Sequence, residues 1–311
     1  MTDLAGKRVL VTGGTGFLGG HICDALRARG AQPIAAGSRD WDLTRQDAVR
    51  EMFAATRPQI VVHAAAAVGG IGANVADPAR FLVANNLMGL FVLEEARLSG
   101  VEKFVMTSTT CAYPDRAPMP LTETDLWDGK PTPATGPYGI AKRTLHEACR
   151  LYCEQYGMKA AVVILTNLYG PRDHFIGPGT HVLPALIRRY CEAKKSGLPE
   201  ITNWGTGTAT REFLYVTDGA EAFVRAIERD VPPEPINVGT GVETSISEVA
   251  ELVQEAVGYT GVVRWDATRP EGVRRRVLNV EKQQALLGYA PAVSLDEGVR
   301  RTVAWYKENI E

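Results

Sequence analysis

The sequence predicts an α/β fold in which a doubly wound parallel sheet carries a smaller α/β lobe. Two observations predict the sheet. Short β-branched runs alternate with longer helical patterns up to about residue 168, and a glycine-rich turn joins the first strand to the first helix. A third observation predicts the lobe, because after Gly170-Pro171 the chain becomes rich in glycine and proline and its elements become shorter. The 311 residues, 45% of them hydrophobic, suffice to bury the core of such a molecule.

The elements of the sheet follow from the hydrophobic pattern. The run Phe104-Val105-Met106-Thr107 is apolar without alternation, as expected for a strand that is buried on both faces. In the third helical segment the apolar residues return at intervals of three and four, which is helical spacing. The expected strands cover 8–12, 32–36, 59–63, 103–107 and 160–165, and the expected helices cover 17–29, 45–55, 79–98 and 138–156.

The lobe is expected to contain a helix over 182–195, a strand at 236–238 and a helix that runs from a Ser247 cap to about residue 257. The run 278–280, which follows Arg276, is also strand-like. Segment 212–229, a short apolar run followed by a helix, resembles the sheet domain again, so the chain crosses the boundary more than once. We therefore expect a sheet domain of 1–168 and 212–235 and a lobe of 169–211 and 236–311.

Composition excludes several classes of protein. The formal charge of −2 leaves no basic excess for a nucleic-acid backbone, so a small-molecule ligand is expected. Five cysteines without a CxxC pair argue against a disulfide framework and a structural zinc site, which indicates a cytoplasmic protein. No apolar run reaches the roughly 20 residues of a membrane span, and no secretory segment precedes the first strand.

The turn Thr12-Gly13-Gly14-Thr15-Gly16-Phe17-Leu18-Gly19 follows the first strand and opens the first helix. Its glycines, Gly13, Gly16 and Gly19, suit a tight turn that lets backbone approach a pyrophosphate closely, and the helix start presents free N–H groups to the anion. Such glycine spacing also occurs in plain strand-to-helix turns. The strand–turn–helix context favours a Rossmann-type dinucleotide site that includes Thr15, Phe17 and Leu18.

The end of the second strand bears on which dinucleotide binds. An NAD enzyme usually carries an acidic residue there for the ribose 2′-hydroxyl, whereas this chain has Ser38-Arg39. A guanidinium pairs with a 2′-phosphate, so NADP(H) is favoured. The alternative is that Asp40 or Asp42 binds the ribose of NAD and Arg39 is a solvated charge.

Tyr138 and Lys142 lie four residues apart and therefore on one helical face. A phenol with a pKa near ~10 is a poor acid–base group at neutral pH, and a nearby Lys ammonium, together with a cationic nicotinamide ring, is expected to lower that pKa. The spacing alone also fits a surface helix pair. What favours a catalytic role is the hydroxyl-rich strand end Ser108-Thr109-Thr110 upstream, which suits binding of a carbonyl or alcohol.

Together these three elements resemble the extended short-chain dehydrogenase/reductase superfamily over essentially the whole chain. The resemblance implies that Thr109, Tyr138 and Lys142 form the catalytic set, with Lys142 also binding the nicotinamide ribose. It further implies cofactor contacts from Ala64, Ala65, Ala66, Asn85, Asn167 and Leu168.

Within that superfamily the chain resembles the GDP-L-fucose synthases, which epimerise GDP-4-keto-6-deoxy-mannose at C3 and C5 and reduce C4 with NADPH. The matching segments are 68–74, 111–114, 166–171, 180–189, 204–207 and 211–214. The resemblance implies that Cys111 and His181 form the epimerisation acid–base pair. It implies substrate contacts from Asn167, His181, Val182, Arg189, Trp204, Arg211 and Arg276, whereas Arg274 and Arg275 are expected to be solvated.

Several positions depart from the pattern of that group. Asp173-His174-Phe175 replaces its usual Asp-Asn-Phe, the stretch 176–179 is poor in polar side chains, Gly136 replaces an acidic residue and Leu165 a proline. The alternatives are therefore a 4-keto-heptose or dideoxyhexose reductase/epimerase, a 4-epimerase with NAD and, in another class, a non-catalytic NADP-binding sensor. Excess apolar residues on helices 79–98 and 138–156, such as Leu145, Ala148, Leu151 and Tyr152, predict a homodimer.

Overall fold

The structure is a computed structural model that describes residues 2–69, 71–177, 179–269 and 272–311, apart from the side chain of Ile71. Its central sheet is parallel. In spatial order its strands are β10 (Pro235–Val238), β5 (Ala160–Leu165), β4 (Lys103–Thr109), β3 (Ile60–His63), β1 (Arg8–Thr12) and β2 (Gln32–Ala36). The strand order reverses between β1 and β3. In open α/β sheets ligands bind in the crevice at the carboxyl ends of the strands beside such a reversal.

Helices cover both faces of this sheet, which confirms the doubly wound fold. Alternation along β1 explains the arrangement, because Val9 and Val11 belong to one apolar core and Leu10 to the other. The first core is completed by α1 (Phe17–Ala28) and α7 (Val216–Glu228). The second is completed by α2 (Gln46–Thr56), α4 (Pro78–Leu98) and α5 (Gly136–Tyr156), and the short α3 (Ile71–Ala76) precedes α4.

A separate apolar core forms the smaller lobe. Its helices are α6 (Val182–Lys195), α8 (Ile246–Val257) and α10 (Leu295–Asn309), and its parallel strands are β7 (Glu200–Trp204) and β12 (Val262–Asp266). Two small strand pairs join the lobe to the sheet domain: β6 (Asn167–Tyr169) with β9 (Phe213–Tyr215), and β8 (Thr210–Arg211) with β11 (Thr244–Ser245). The last short helix, α9 (Glu281–Leu287), packs near β10.

Three expectations for the second half of the chain are wrong. The strand near 236–238 was expected in the lobe, but β10 extends the central sheet by pairing with β5. The cap of α8 is Ser245 rather than Ser247, because Glu248 closes a capping box with Ser245. The run 278–280 forms only an isolated bridge from Leu278 to Leu121 instead of a strand. We retain two lobes as a proposal, with the sheet domain extended through Val238.

Glu212 ties the two lobes together. Its carboxylate is fully buried and accepts hydrogen bonds from the backbone N–H groups of Gly241 and Leu278, each at 2.8 Å. Burial raises the pKa of this carboxyl group, and the backbone donors counteract part of that rise. One side chain thus holds the segments that follow β10 and that precede α9.

The described part of the chain contains no helix long and apolar enough to cross a membrane. The five cysteines are all free thiols. Across 2–69, 71–177, 179–269 and 272–311, no group of three or more His, Cys, Asp or Glu side chains has the arrangement of a metal site.

Candidate active site

The phosphate turn lies at the carboxyl end of β1, where the sheet reverses its strand order. A Cβ at Gly13 would lie 2.9 Å from the Ala65 nitrogen, one at Gly14 would lie 2.7 Å from the Val11 oxygen, and one at Gly19 would overlap the Gly13 carbonyl. Because the clashing atoms are all backbone, no side-chain rotation relieves them. The turn therefore folds only with glycine at these positions and exposes its backbone at the start of α1.

A cleft of about 460 Å³ lies beside this turn, on the outer side of α1. Phe17 and Gly20 line one wall, and Arg172 and His174 of the loop after β6 line the other. Arg172 forms an ion pair with Asp24 at 2.7 Å, so the charge of that guanidinium is already balanced within the protein. The loop that carries Arg172 and His174 thus lies close to the phosphate turn, and the charge of Arg172 is neutralised by Asp24.

Ser38 and Arg39 are both exposed beyond the end of β2, and the hydrogen bonds and ion pairs of the described residues leave the Arg39 guanidinium uncommitted. By contrast, Asp42 accepts hydrogen bonds from the Thr44 nitrogen at 3.0 Å and the Thr44 hydroxyl at 2.6 Å. A carboxylate engaged in its own turn is a poor partner for a ribose. The geometry therefore argues against Asp42 as a ribose ligand, whereas the Asp40 carboxylate is exposed beside Arg39 and is not engaged in any bond of the described residues.

The loop after β3, with Ala64, Ala65 and Ala66, lies beside the phosphate turn. Asn85 on α4 holds this loop, since its side-chain oxygen accepts from the Ala67 nitrogen and its amide donates to the Ala67 oxygen, both at 3.0 Å. The amide of Asn85 is therefore engaged with backbone. The contact of Asn85 with the cofactor stays a prediction. The observed hydrogen bonds show that Asn85 supports the loop after β3.

Tyr138 and Lys142 lie on the first turns of α5, and the ammonium is 5.7 Å from the centre of the phenol ring. Lys142 is only 1% exposed and donates a 2.9 Å hydrogen bond to the Thr107 carbonyl on β4. Burial lowers the pKa of Lys142 to about 8. The expected lowering of the Tyr138 pKa is wrong for the protein alone, because burial, with a smaller contribution from Cys111, raises it.

Thr109 ends β4 and begins the turn Thr110–Ala112, which carries Cys111. The Thr109 hydroxyl accepts a 3.2 Å hydrogen bond from the Cys111 nitrogen and so caps the turn. Thr109 and Cys111 are both partly exposed, whereas Thr110 and Ala112 are buried. The turn packs against α5 beside Tyr138, because a Cβ at Gly139 would overlap the Cys111 carbonyl oxygen.

His181 occupies the cap position of α6 in the lobe, where its side chain makes no capping hydrogen bond. The residue is exposed, yet the protein around the ring lowers the pKa of the imidazole, first by desolvation and second through nearby His174. The His181 ring is therefore largely neutral at pH 7. A neutral imidazole is able to accept a proton.

The remaining predicted contacts around the sugar and nucleotide lie on three elements. Asn167 and Leu168 belong to β6, where the Asn167 amide donates to the Glu212 carbonyl at 2.9 Å, and Val182 is exposed at the start of α6. Arg189 on α6 donates to the Asn203 side chain at 2.8 Å. Trp204 is 62% exposed and stacks against the guanidinium of Arg269.

Desolvation lowers the pKa of Arg211, and the positive charge of nearby Arg276 lowers it further. Arg211 donates to the Thr210 carbonyl at 2.6 Å. Arg276 is buried and donates to the Thr110 carbonyl at 2.9 Å and to the Thr132 hydroxyl at 3.4 Å. Two neighbouring guanidiniums suit a diphosphate. Arg276 in addition contacts the turn that carries Cys111, which sequence reasoning did not anticipate.

Sequence reasoning also missed a polar pair beneath the site. Ser108 of β4 and His146 of α5 are buried and share a 2.6 Å hydrogen bond, one helical turn beyond Lys142. Burial, with Lys142 and Arg143 nearby, lowers the pKa of His146 to about 3, so the ring stays neutral. The only available signal was the helical spacing of Lys142 and His146. Gly70 and Pro178, which belong to two segments considered above, lie outside the described residues.

The chain shows clear similarity to known proteins. The model of the family described as "NAD dependent epimerase/dehydratase family" matches residues 9–239. A probable GDP-L-fucose synthase 1 from Oryza sativa subsp. japonica is 41% identical over 312 residues, which cover 100% of this chain and 94% of the relative.

Solved structures share the whole architecture. A GDP-L-fucose synthetase from Naegleria fowleri bound to NADP superposes with a TM-score of 0.89 at 29% identity, covering 99% of this chain and 96% of the other. A GDP-mannoheptose C4 reductase from Campylobacter jejuni with NADP bound also gives 0.89, at 28% identity and 99% coverage of each chain. The chain therefore belongs to the NAD dependent epimerase/dehydratase family.

Proposed function

We propose that this chain is an NADP(H)-dependent 3,5-epimerase and 4-reductase that converts GDP-4-keto-6-deoxy-D-mannose into GDP-L-fucose. One observation carries the proposal: the turn that carries Cys111 packs against α5 at Gly139, the residue after Tyr138, so the thiol proposed for proton exchange and the phenol proposed for reduction lie on neighbouring elements. The name of the full-length relative from Oryza sativa supports the same activity. We further propose a cytoplasmic enzyme.

NADP(H) fits the crevice, because Gly13, Gly14 and Gly19 admit no Cβ and so form the tight turn that presents backbone N–H groups at the start of α1 to a pyrophosphate. The turn, including Thr15, Gly16, Phe17 and Leu18, would hold the pyrophosphate, and Ser38 with Arg39 would hold the 2′-phosphate. Lys142, the loop 64–66, Asn167 and Leu168 would enclose the nicotinamide half. When bound, NADPH supplies the hydride that reduces C4.

The epimerisation is assigned to Cys111 and His181. A ketone at C4 makes the hydrogens at C3 and C5 acidic, and inversion needs one group to remove a proton and another to return it from the opposite face. Thiol and imidazole both titrate near neutrality. The lowered pKa of His181 keeps a basic imidazole available at pH 7.

The reduction is assigned to Tyr138, with Thr109 and Lys142 in support. As the C4 carbon gains a hydride, its oxygen needs one proton, and the raised pKa of Tyr138 keeps the phenol protonated and able to donate. The Thr109 hydroxyl already accepts from the Cys111 nitrogen, so its own hydrogen is free to bind the same oxygen. Lys142 is fixed by the Thr107 carbonyl.

The substrate diphosphate is assigned to Arg211 and Arg276, with Arg189 and Trp204 toward the nucleotide. A homodimer through α4 and α5 is also proposed. Leu145, expected to help form that surface, is instead 2% exposed between the two helices. The apolar side chains that α4 and α5 leave exposed include Leu98, Leu151 and Tyr156.

A second candidate is a reductase of a GDP-4-keto-heptose. It is favoured by the Campylobacter jejuni heptose reductase, which matches the fold as well as the fucose synthetase does, and by His174 where fucose synthases usually carry asparagine. Both candidates share the Tyr138 and Lys142 chemistry. They differ in whether C3 and C5 are inverted.

The test is to incubate the purified protein with NADPH and GDP-4-keto-6-deoxy-D-mannose in D₂O. We expect NADPH absorbance to fall and GDP-L-fucose to form with deuterium at C3 and C5, as read by NMR. Reduction without deuterium at these carbons would identify a plain 4-reductase. Binding of NADPH without turnover of this sugar or of a 4-keto-heptose would identify a non-catalytic binding protein and refute the proposal.

A further inference from the structure

The end of β4 runs past its neighbour β3 in the sheet. β3 pairs with β4 as far as Met106, whereas β5 pairs with β4 through to Thr109. Among the described strands, the segment from Thr107 to Thr109 is therefore paired with β5 alone. Thr109 carries the hydroxyl that is proposed to bind the substrate carbonyl oxygen, so its distance from Tyr138 depends on how this strand end is fixed to α5.

Two hydrogen bonds join this strand end to α5. The Lys142 ammonium donates to the Thr107 carbonyl at 2.9 Å, and the next residue, Ser108, shares a 2.6 Å hydrogen bond with Nε2 of His146. His146 follows Lys142 by one helical turn, so the two bonds lie side by side on one face of α5. Alternation along β4 explains the partner, because Met106 belongs to the core that α5 completes and Ser108, two residues on, faces the same way.

The packing of the core does not account for a histidine at position 146. His146 is 3% exposed, and its Nδ1 atom is buried without a hydrogen-bond partner among the described residues. A buried polar atom that is left unpaired is costly, and an apolar side chain like those of the neighbouring core residues Leu145 and Cys149 would avoid that cost. What the imidazole supplies, and an apolar side chain cannot, is the bond to Ser108.

We propose that Ser108 and His146 are positioning residues for the reduction, because their bond fixes the end of β4 against α5. The bond sets the distance from the Thr109 hydroxyl on the strand to the Tyr138 phenol on the helix, and it keeps the carbonyl that binds Lys142 in place. The inference rests on the proposed function, since both hydroxyls are assigned to the same substrate oxygen. A shift of about 1 Å at a reacting group can cost a factor of about 10² in rate.

The test removes the bond from either end and then from both, in Ser108→Ala, His146→Leu and the double variant. NADP⁺ reduction with GDP-L-fucose as substrate reports hydride transfer. We expect kcat to fall at least about tenfold in each single variant and KM for GDP-L-fucose to stay within about threefold, because the bond acts on the reacting groups. The double variant should be no slower than the slower single variant, since a broken bond cannot be broken again. A wild-type kcat in both single variants, or additive losses in the double variant, would overturn the proposal.

Two comparisons separate positioning from a general loss of stability. His146→Gln keeps an amide that can bond to the Ser108 hydroxyl, so kcat should return to within about threefold of wild type. Tyr289→Phe removes a buried bond on the opposite face of the sheet from α5, which the Tyr289 hydroxyl donates to the Asp218 carbonyl at 2.8 Å, and should leave kcat unchanged. If Tyr289→Phe is as slow as Ser108→Ala, or His146→Gln as slow as His146→Leu, the proposal is overturned. Should His146→Leu fail to fold, Ser108→Ala, which removes only the hydroxyl, carries the test.

A readout that needs no sugar separates this inference from the proposed function. The carbonyl that binds Lys142 belongs to Thr107, next to Ser108, and Lys142 is proposed to hold the nicotinamide ribose. Ser108→Ala should therefore weaken NADPH binding at least about threefold, whereas adenosine 2′,5′-bisphosphate, which lacks the nicotinamide half, should bind as it does to the wild type. Calorimetry measures both affinities. If the wild type turns over no sugar, the proposed function fails, and an unchanged affinity of Ser108→Ala for NADPH, or an equal loss for both ligands, would then overturn the inference.

Discussion

The two groups of residues proposed for catalysis, Tyr138 with Lys142 for reduction and Cys111 with His181 for exchange, are built differently. Tyr138 and Lys142 stand on one helix, with Lys142 buried and bonded to the neighbouring strand. Cys111 and His181 come from different lobes, one on a short turn and the other at an exposed helix start. The reduction region depends on local packing, whereas the exchange region depends on the alignment of two lobes.

This difference determines which substitutions should impair each proposed activity. Changes near α5 and β4 act on a site whose parts are already held by adjacent elements. The exchange pair instead relies on contacts between distant segments, such as the bond from Arg276 to the Thr110 carbonyl and the bonds to the Glu212 carboxylate. We expect exchange and reduction to be separable by single substitutions.

The largest expected effect is that of Tyr138→Phe. Removal of the hydroxyl deletes the proton donor, so NADPH oxidation should fall by about 10²–10⁴-fold, the usual contribution of general acid catalysis. Deuterium entry at C3 and C5 should continue, because Cys111 and His181 are intact. If exchange falls to the same extent, the two regions are not separable.

The converse substitution is His181→Gln. We expect deuterium exchange to fall about a hundredfold because the variant lacks a proton-accepting imidazole, whereas oxidation of GDP-L-fucose by NADP⁺ should change only a few-fold. His174→Asn, which removes the neighbouring exposed imidazole, serves as the control and should retain exchange. If His174→Asn slows exchange as much as His181→Gln does, the loss is not specific to His181, and the assignment of proton exchange to His181 is refuted.

The next prediction concerns the free energy of unfolding and Asp173, which lies on the loop that leads to His181. Burial raises the pKa of this carboxyl to about 7, whereas its ordinary value is 3.8, and one of its oxygens is buried without a hydrogen-bond partner. The folded protein therefore binds this proton more tightly, and the contribution of Asp173 to stability falls as pH rises from about 4 to 7. Asp173→Asn does not lose this stability.

We expect Asp173→Asn to match the wild type at pH 4 and to exceed its free energy of unfolding by about 4 kcal/mol at pH 8. Urea unfolding at the two pH values measures the difference. Asp230→Asn, at a side chain that is 82% exposed, should change neither value. A constant difference between the Asp173 variant and wild type at both pH values would show that ionisation is not the cause.

The smallest expected effect concerns the cofactor. Arg39→Ala should weaken NADPH binding about tenfold and leave NADH binding unchanged, because only NADPH carries the 2′-phosphate. Fluorescence titration measures both affinities. Arg45→Ala, which removes an exposed guanidinium already paired with Asp47, is the matched control. Equal weakening of NADH and NADPH binding would move the 2′-phosphate contact away from Arg39.

The parts of the fold and site that sequence predicted are local. The phosphate turn follows from glycine spacing within a few residues, and Tyr138 and Lys142 share a face because they lie one helical turn apart. Long-range contacts carry no such signal. Arg276 and Thr110 are 166 positions apart, so the bond between them was not foreseeable, and neither was the contact of Gly139 with the Cys111 carbonyl.

Two other expectations failed for reasons of environment. The pKa of Tyr138 was expected to fall beside an ammonium, but desolvation outweighs that effect in the protein alone, and the ammonium is bonded to the Thr107 carbonyl. The cap of α8 was placed at Ser247, although the Glu248 side chain bonds back to Ser245. In both cases a competing local interaction decided the outcome.

The position of β10 at the edge of the sheet bears on how the chain folds during synthesis. Its partner β5, every residue of which is buried in the finished protein, leaves the ribosome well before residues 235–238, because the elements from β6 to α7 are encoded between them. Until then β5 is an unpaired apolar edge, the kind of surface that promotes aggregation or chaperone binding. We therefore expect fast synthesis of the segment between β5 and β10 to increase the yield of folded protein.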